Sequence, residues 1–560
     1  MRIRIFILLG AIATSLLGQM PTAVGRRGMV VAGNEVAARF GLNILRRGGN
    51  AIDAAIATGF ALAVIQPRAG NLGGGGFMVI RLANGATTTI DFREKAPLGA
   101  TRDMYIGSDG NVIDDLSTVG VLASGVPGTV RGYGLAHARY GKLPWAALLQ
   151  ESINLADRGF AITYQIHSDL ARQADVLTQF EETASIFYPD GKAPRLNSLF
   201  RQPDLAATLS RISLAGADEF YTGRTAHLLA DFMTRHGGLI SLGDLANYQA
   251  VERPAVEFDY RDAHIITMPP PSAGGVVLAE ILNQWEQIDI GDLGYHSAAH
   301  IHAMVEAYRR AYADRAKFAA DPDFVDVPVG RLISDGHAAT LWKSVSPAWA
   351  SASADFGGNL ISSRNEGGQT THISVIDRQG NAVALSITLN SLYGSGMVVA
   401  GAGYFLNNEM DDFVSKPGAP DIYGLIGTEA NAIRPGKRMV SSMTPTIVTR
   451  NGQPLLITGS PGGAAITTTV AQIISGIIDF NMSAPAAVAA PRIHHQWMPN
   501  IIRTEPWAVS ADTQIRLQRM GHVLTEGGPM GAAHTIYIDP ETGWYHGIAD
   551  VRREADAAGY

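Results

Sequence analysis

Residues 367–377 read GGQTTHISVID, and this stretch decides how the rest of the chain is interpreted. Two glycines and Gln369 lead into Thr370, and a run with β alternation follows, in which Ile373 and Val375 share one face. A threonine that begins a strand is usually only a β-branched residue suited to a pleated surface. Any other interpretation of Thr370 therefore depends on the motifs found elsewhere in the chain.

The composition is that of a globular protein long enough for two domains or one large core. Hydrophobic residues make up 46% and charged residues 17% of the 560 positions. The net charge of −7 and the lack of a Lys/Arg stripe argue against a nucleic-acid partner. The chain has no cysteine, which excludes disulfides, thiolate metal sites, iron–sulfur clusters and a cysteine nucleophile. Neither a metal ion nor a cofactor is expected.

The first residues have the layout of a secretory signal. Arg2 and Arg4 precede an apolar run over residues 5–17, and small residues lie near the end of that run. The run is too short to span a bilayer comfortably, and the alternative is a first buried helix. We expect residues 1–23 to be a signal peptide, cleaved between Gly18 and Val24. An exported protein, periplasmic or secreted, with no stable membrane span after processing, is the expected result.

Hydrophobic periodicity predicts several elements of the mature chain. An amphipathic helix is expected over residues 30–47 and a buried helix over residues 50–65. The glycines of residues 71–76 precede a strand and no helix, so they favour close backbone packing over a phosphate site. A long helix over residues 300–317 has charged residues at spacings that predict a solvated face with i,i+4 pairs, and its histidines are expected at the surface.

Many ordered motifs resemble the gamma-glutamyltransferase family of the N-terminal nucleophile hydrolase superfamily. The resemblance covers nearly the whole mature chain, and its motifs are GGNAIDAAIATGFALAV, GNLGGGGFMV, DFREKAP, LASGVPGTV, YADRAKFAADPDFV, GGQTTHISVID, SITLNSLYGSG, LNNEMDDF, RMVSSMTPTIV, GSPGGAAI and APRIHHQW. It implies an α/β fold, a four-layer α/β/β/α sandwich built jointly by two autocleavage fragments. The large fragment would cover residues 24–369, ending in a mobile loop over residues 346–369, and the small catalytic fragment residues 370–560, as one structural unit.

The resemblance also implies a nucleophile made by self-cleavage. The family pattern places the cut between Gln369 and Thr370, after which the Thr370 hydroxyl attacks with its own α-amine as base. Such an amine has a reference pKa of about 7.7–8.0, so a useful fraction is unprotonated near neutral pH. Thr388 matches the threonine that orients the nucleophile. Gly462 and Gly463 match the positions whose backbone N–H groups hold the oxyanion.

A second group of matched positions would bind a zwitterionic γ-glutamyl group. These are Arg93, Ser441 and Ser442 for the α-carboxylate, Asn390, Glu409 and Asp412 for the α-ammonium, and Tyr423 on a lid over residues 416–427. Two other interpretations remain open at the acidic positions, because clustered carboxylates can also cap a helix or bind Ca²⁺. The adjacent pair His494 and His495 has poor spacing for one metal and favours packing beside Trp497.

The predicted activity is that of a self-processing gamma-glutamyltransferase and glutathione hydrolase. Its partners would be glutathione or another γ-glutamyl donor, with water, an amino acid or a dipeptide as acceptor. Two alternatives remain: a cephalosporin or glutaryl acylase of related ancestry, and an exported binding protein that never matures. The lid, Glu409 and the two serines argue against the acylase.

Overall fold

The computed structural model describes residues 22–357 and 370–560. The strands, in chain order, are β1 (Thr22–Gly25), β2 (Gly28–Ala32), β3 (Gly75–Arg81), β4 (Thr87–Phe92), β5 (Phe160–Ala161), β6 (Leu199–Phe200), β7 (Val251–Arg253), β8 (Val256–Tyr260), β9 (Ala263–Thr267), β10 (Thr370–Asp377), β11 (Ala382–Thr388), β12 (Thr446–Arg450), β13 (Gln453–Thr458), β14 (Ile493–His494), β15 (Ile502–Thr504), β16 (Leu524–Glu526), β17 (His534–Ile538), β18 (Tyr545–Ala549) and β19 (Asp556–Gly559).

The α-helices are α1 (Glu35–Arg46), α2 (Ala51–Ile65), α3 (Thr129–Tyr140), α4 (Trp145–Arg158), α5 (Tyr164–Arg172), α6 (Ala174–Leu177), α7 (Glu181–Phe187), α8 (Pro203–Ala215), α9 (Asp218–Thr222), α10 (Arg224–His236), α11 (Leu242–Asn247), α12 (Gly274–Trp285), α13 (Ala298–Phe318), α14 (Val329–Leu332), α15 (Asp335–Lys343), α16 (Ile466–Ile478), α17 (Ala484–Ala489) and α18 (Ala511–Arg519). Short 3₁₀ turns connect several of them.

Two seven-stranded sheets form the centre of the fold. Their strand orders are β1-β18-β17-β13-β12-β9-β8 and β19-β2-β10-β11-β3-β4-β7. The strand pairs of both sheets are antiparallel. Each sheet contains strands from both sides of residue 370, so that β2 lies between β19 and β10, and β18 lies beside β1.

The sheets face each other across an apolar layer, and helices cover their outer faces. Val31 and Val79 of one sheet pack with Ile447 and Ile457 of the other. Helices α1, α2 and α3 bury apolar residues against the sheet that contains β10. Helices α12, α13 and α16 do the same against the sheet that contains β13. The result is the predicted four-layer α/β/β/α sandwich.

Helix α2 shows how local signals fix an element beside the central sheet. Asn50 caps its N-terminus, and the Asp53 carboxylate accepts a hydrogen bond from the Asn50 backbone N–H, forming a capping box. Every residue from Ala51 to Ile65 is buried, as predicted from the nearly continuous apolar sequence. Asp53 also accepts hydrogen bonds from the backbone N–H groups of Lys142 and Leu143, so both oxygens of this buried carboxylate have hydrogen-bond partners.

Two predictions about elements are wrong. Residues 30–32, predicted as the beginning of the first helix, belong to strand β2 (Gly28–Ala32), and the helix starts at Glu35. The solvated face predicted for α13 is buried: Glu306, Arg309 and Arg310 are almost inaccessible, and so is His302. An i,i+4 pair has the same spacing whether it faces water or is enclosed by later parts of the chain, and here the Glu306–Arg310 pair is enclosed.

The described part of the segment predicted as a mobile loop is anchored to α13. Ser351 donates to Glu306, and Ser353 donates to the Trp497 carbonyl. Residues 358–369, which include Gln369, lie outside the described residues, as do residues 1–21 of the predicted signal peptide. Among the residues described, none of the helices combines the length and the apolar character that crossing a bilayer requires.

Candidate active site

Thr370 lies where two central strands meet the surface of a small pocket. It is the first residue of β10, it is 7% exposed, and it pairs directly with Thr388, the last residue of β11. The Thr370 hydroxyl is 3.5 Å from the Thr388 hydroxyl. The Thr388 Oγ1 also accepts a hydrogen bond from the backbone N–H of Asn390 at 2.8 Å. The strand register therefore brings the two predicted threonines together.

The glycine-rich stretch before β3 packs against the back of this pair. The Asn71 side chain donates to the Thr388 carbonyl at 2.9 Å, and its oxygen accepts from the Gly74 backbone at 3.0 Å. A Cβ atom on Gly74 would lie 2.1 Å from the Thr388 carbonyl oxygen, closer than any side chain allows. The prediction of close backbone packing at these glycines is confirmed.

The pocket beside Thr370 contains nearly all of the residues predicted for the site. Its lining includes ten of them: Arg93, Thr370, Thr388, Asn390, Glu409, Asp412, Tyr423, Ser441, Ser442 and Gly463. These residues come from positions more than 300 apart in the chain. Gly462 directly precedes one of them. The individual roles given to these residues stay predictions.

Arg93 lies at the charged end of the pocket and is surrounded by protein acceptors. Its Nη1 is 2.6 Å from a Glu409 oxygen and 3.4 Å from a Glu94 oxygen, and its Nη2 contacts Asp412. Backbone carbonyls accept from its remaining N–H groups, Met439 at 3.3 Å and Val440 at 2.9 Å. Four hydrogen bonds therefore use four of the five guanidinium N–H donors, and the contact with Glu409 is an ion pair in which neither Glu409 oxygen accepts a hydrogen bond.

Three carboxyl groups surround Arg93, and their total negative charge, when all are ionised, exceeds its single positive charge. Burial raises the pKa of Glu94 to about 7, despite the nearby Arg93. Burial likewise raises the pKa of Glu409 well above its usual range and raises that of Asp412, and their mutual repulsion adds to the effect at Glu409. The pKa of Arg93 is raised because three carboxylates outweigh the effect of its burial. The pocket therefore has enough carboxyl groups to pair with a second cation in addition to Arg93.

Tyr423 closes the pocket on the side of the predicted lid. Its hydroxyl donates to the Asn390 backbone and side-chain oxygens at 2.6 and 2.5 Å. Its ring lies against Gly463, where a Cβ atom would be 2.6 Å from a ring carbon. The lid is attached at its base by Asp411, which accepts from Ser117 and from the Ile422 backbone. Asp411 is thus used as an acceptor within the protein.

The SPGG turn presents backbone N–H groups at the start of a helix. Gly462 and Gly463 have φ values of +141° and +56°, a conformation that favours glycine. They lead through a 3₁₀ turn into α16. Among the described residues, no acceptor binds either N–H group. The helix N-terminus adds partial positive charge at this position.

His372 has the character of a core residue. It is completely buried, and its two ring nitrogens lie 2.8 Å from the Ser386 hydroxyl and 3.1 Å from the Ser374 hydroxyl. Burial lowers its pKa well below the usual range, so the ring is neutral. The adjacent His494 and His495 are also buried core residues. His494 contacts the Thr468 hydroxyl, and His495 accepts a hydrogen bond from the Trp497 backbone N–H.

The site includes two charged residues that were not predicted. Glu94 contacts Arg93, and the Arg315 guanidinium donates to the Ser442 hydroxyl at 3.2 Å while also lining the pocket. Both occur within motifs already noted, DFREKAP and YADRAKF. Adjacency to Arg93 could have identified Glu94, but nothing in the local sequence indicates that Arg315 faces the pocket.

Comparison with known proteins agrees with this architecture. A cephalosporin acylase from Bacillus halodurans has a similar structure, with a TM-score of 0.85 and 26% identity, covering 99% of both chains. Two stacked antiparallel sheets between helical layers, with a threonine at the start of a central strand, define an N-terminal nucleophile hydrolase.

The sequence comparisons identify the family within that class. Residues 37–560 match the family model Gamma-glutamyltranspeptidase, and the chain belongs to this family. It is 43% identical to the glutathione hydrolase proenzyme of Escherichia coli (strain K12), over 96% of this chain and 92% of the relative. It is 37% identical to the Acylase ACY 1 proenzyme of Pseudomonas sp. (strain SE83), over 93% and 91%. The protein is an enzyme, and the predicted family and fold are confirmed.

Proposed function

We propose that this enzyme cuts its own chain before Thr370 and then transfers γ-glutamyl groups through an ester on that residue. The donor would be glutathione or a related γ-glutamyl amide, and the acceptor water, an amino acid or a dipeptide. The observation that carries the proposal is the convergence of the predicted residues on one pocket beside Thr370. The E. coli relative, named a glutathione hydrolase proenzyme, supports it.

In the proposed cycle, cleavage supplies both the nucleophile and its base. The free α-amine of Thr370 accepts the hydroxyl proton as Oγ1 attacks the γ-carbonyl of the donor. The tetrahedral intermediate then collapses to an ester, and the leaving amine takes up the proton. Attack by water or an acceptor amine reverses these steps and releases Thr370. His372 is not needed, because it is neutral and both of its ring nitrogens are engaged.

Thr388 and the SPGG turn have distinct parts in this cycle. The Thr388 hydroxyl, fixed by the Asn390 N–H, orients the Thr370 oxygen. The unbonded N–H groups of Gly462 and Gly463 stabilise the oxyanion, and losing one such donor typically costs ~10²–10³ in rate. Both contributions act on charge that develops at the carbonyl during attack.

Binding of the donor involves an exchange of ion pairs. The Arg93 guanidinium is surrounded by Glu94, Glu409 and Asp412, so a substrate α-carboxylate must displace at least one of these carboxyl groups. The displaced Glu409 or Asp412 is then available to the α-ammonium of the same substrate. The Ser441 and Ser442 hydroxyls add donors to the carboxylate, and Tyr423 covers the bound group.

This charge pattern favours a γ-glutamyl donor over a glutaryl donor. A glutaryl group has no α-ammonium, so it would leave the displaced Glu409 and Asp412 without a cation in a buried pocket. An acylase activity is nevertheless a second candidate, because the Pseudomonas relative is named an acylase. Turnover of γ-glutamyl and glutaryl anilides by the same preparation compares the two, and we expect the γ-glutamyl amide to be preferred.

The substitution Thr370→Ala tests cleavage and turnover together. It removes the hydroxyl for both reactions, so we expect a single full-length chain on a denaturing gel and no turnover of a γ-glutamyl anilide. Thr371→Ala is the matched control, since Thr371 is equally buried but lies on the opposite face of β10. Two fragments from the Thr370→Ala chain would disprove both assignments.

Export to the periplasm or the medium is part of the proposal. Its support is the basic–apolar–small pattern of residues 1–23. Strand β1 begins at Thr22 and pairs with β18, which favours removal of the signal before Thr22 over a cut within the strand. N-terminal sequencing of the exported large fragment would locate the cut.

A further inference from the structure

Three ionisable side chains from three helices meet beside a second pocket, next to the catalytic one. Glu280 belongs to α12, Asp314 to α13 and His337 to α15. One ligand atom from each lies within 4.8 Å of those of the others. The His337 Nε2 is 2.7 Å from an Asp314 oxygen and 3.9 Å from a Glu280 oxygen.

Glu280 is the unusual member of this cluster. Its side chain is 1% exposed, and neither carboxyl oxygen has a hydrogen-bond partner among the residues that the structure describes. Burial, together with repulsion from Asp314, raises its pKa well above the usual range. Protonation would remove the charge, but the hydroxyl and carbonyl would still lack partners. A buried group of this kind is costly unless something else binds it.

The surroundings of the cluster form a pocket with mostly apolar walls. Glu280 and Asp314 line it together with Val276, Phe318 and Leu332. Arg331 partly offsets the rise in the pKa of Glu280, and its guanidinium lies over the Phe318 ring, 4.7 Å from the ring centre. Arg315 also lines this pocket, and His337 contacts the two acids although it is not part of the lining. The two carboxyl groups therefore lie beside a space where a cation would be weakly screened.

We propose that Glu280, Asp314 and His337 bind a divalent transition-metal ion, with Zn²⁺ as the best match. One imidazole nitrogen with two carboxylate oxygens is a donor set suited to Zn²⁺, and a fourth position facing the pocket can hold water. Ligand atoms around tetrahedral zinc are about 3.4 Å apart. Reaching this spacing requires His337 to exchange its contact with Asp314 for the metal, and Glu280 to move slightly inward.

The site would be structural, and it is independent of the proposed transfer reaction. It joins α12, α13 and α15, and Asp314 directly precedes Arg315, the residue that contacts Ser442 in the catalytic pocket. A bound ion would hold this part of α13 in place. It would not be part of the catalytic pocket, because Glu280, Asp314 and His337 are absent from the lining of that pocket.

A second buried cluster provides a comparison within the same protein. His302, Glu306 and His522 also lie within 4.8 Å of one another. Here the Glu306 oxygens are already bound by Arg310 and Ser351, and the His302 nitrogens contact His522 and the Ser346 carbonyl. Arg310 donates directly to Glu306, whereas no guanidinium bonds Glu280, so this second cluster is unsuited to a cation.

Calorimetric titration of the chelator-treated full chain with Zn²⁺ alone tests the site. We expect one ion per chain for the wild type, at least ~10-fold weaker binding for Glu280→Gln and His337→Gln, and wild-type binding for the matched control His522→Gln. Zn²⁺ should also raise the melting temperature of the wild type and the control, but not of the two site variants. Circular dichroism checks that each variant is folded.

The free α-amine and hydroxyl of a processed Thr370 could also bind Zn²⁺, so the titration is repeated with Thr370→Ala. Retention of one site there supports the proposal whether or not the chain is processed. Equal binding by the wild type and Glu280→Gln would overturn it. So would a lack of Zn²⁺ binding by the wild type, which would identify Glu280 as a protonated core residue.

Discussion

The substitution Arg93→Lys tests the charged end of the catalytic pocket. Arginine uses four N–H groups there in hydrogen bonds to two carboxyl groups and two backbone carbonyls, and it also forms an ion pair with Glu409. Lysine keeps the charge but has three donors and no planar fork. At least one acceptor therefore loses its partner, and a substrate carboxylate must compete for the donors that remain.

The expected magnitude follows from one lost bond between the donor carboxylate and residue 93. A hydrogen bond to a charged group contributes about 1.5–3 kcal/mol, which corresponds to a rise of roughly 10–150-fold in KM. The value of kcat should change much less, because Thr370 and its amine are untouched. Initial rates with a γ-glutamyl anilide over a range of concentrations give both constants.

The control for this experiment is Arg102→Lys. Arg102 is also paired with a carboxylate, Glu429, but it lies outside the pocket lining. Its variant should keep the wild-type KM. A KM for Arg93→Lys within about twofold of the wild type, in a protein with a normal thermal melt, would refute the assignment of Arg93 to the donor carboxylate.

Three further perturbations address the lid, the oxyanion turn and the buried acids. Tyr423→Phe removes the hydroxyl that donates to Asn390, and we expect KM to rise about 3–10-fold, with the anilide assay as the measurement. Gly463→Ala should lower kcat/KM at least ~10-fold, because φ is +56° and the new methyl group would contact the Tyr423 ring; an unchanged value would disprove this packing. Glu94 has a pKa of about 7, raised by burial, so the folded state binds its proton more tightly than the unfolded chain does. Its contribution to stability is therefore present below the unfolded pKa of about 4.5 and is lost as the pH rises through 7. Glu94→Gln should flatten this decline in melts between pH 5 and 7.5, and an unchanged slope would contradict the assignment.

The sequence predicts the regular elements well where one signal dominates. Helix α2 and strand β10 agree with their predictions, because capping residues and alternation act over a few positions. Strand β2 was missed because GMVVA is short and fully buried, so it has no alternation to separate it from the helix that follows.

The convergence of the site residues was predictable only through the resemblance to a family. Arg93, Thr370 and Ser441 lie far apart in the chain, and no local pattern indicates that they share a pocket. Arg315 and Glu280 are two residues whose surroundings the sequence alone does not indicate. Arg315 is on a helix whose charged residues look like surface residues, and Glu280 is the one charged residue of the apolar helix α12. Only the packing of α12, α13 and α15 gives them their surroundings.

Each sheet combines strands from before and after residue 370, and this has a consequence for the product of self-cleavage. A cut before Thr370 would leave β2 of the first fragment hydrogen-bonded to β10 and β19 of the second, while β3 stays joined to β11, β1 to β18 and β9 to β12. The two fragments would be joined by five pairs of hydrogen-bonded strands, so separating them would require both sheets to unfold. Such a heterodimer should melt in one cooperative step that does not depend on its concentration, and separately produced halves should fail to assemble by simple mixing.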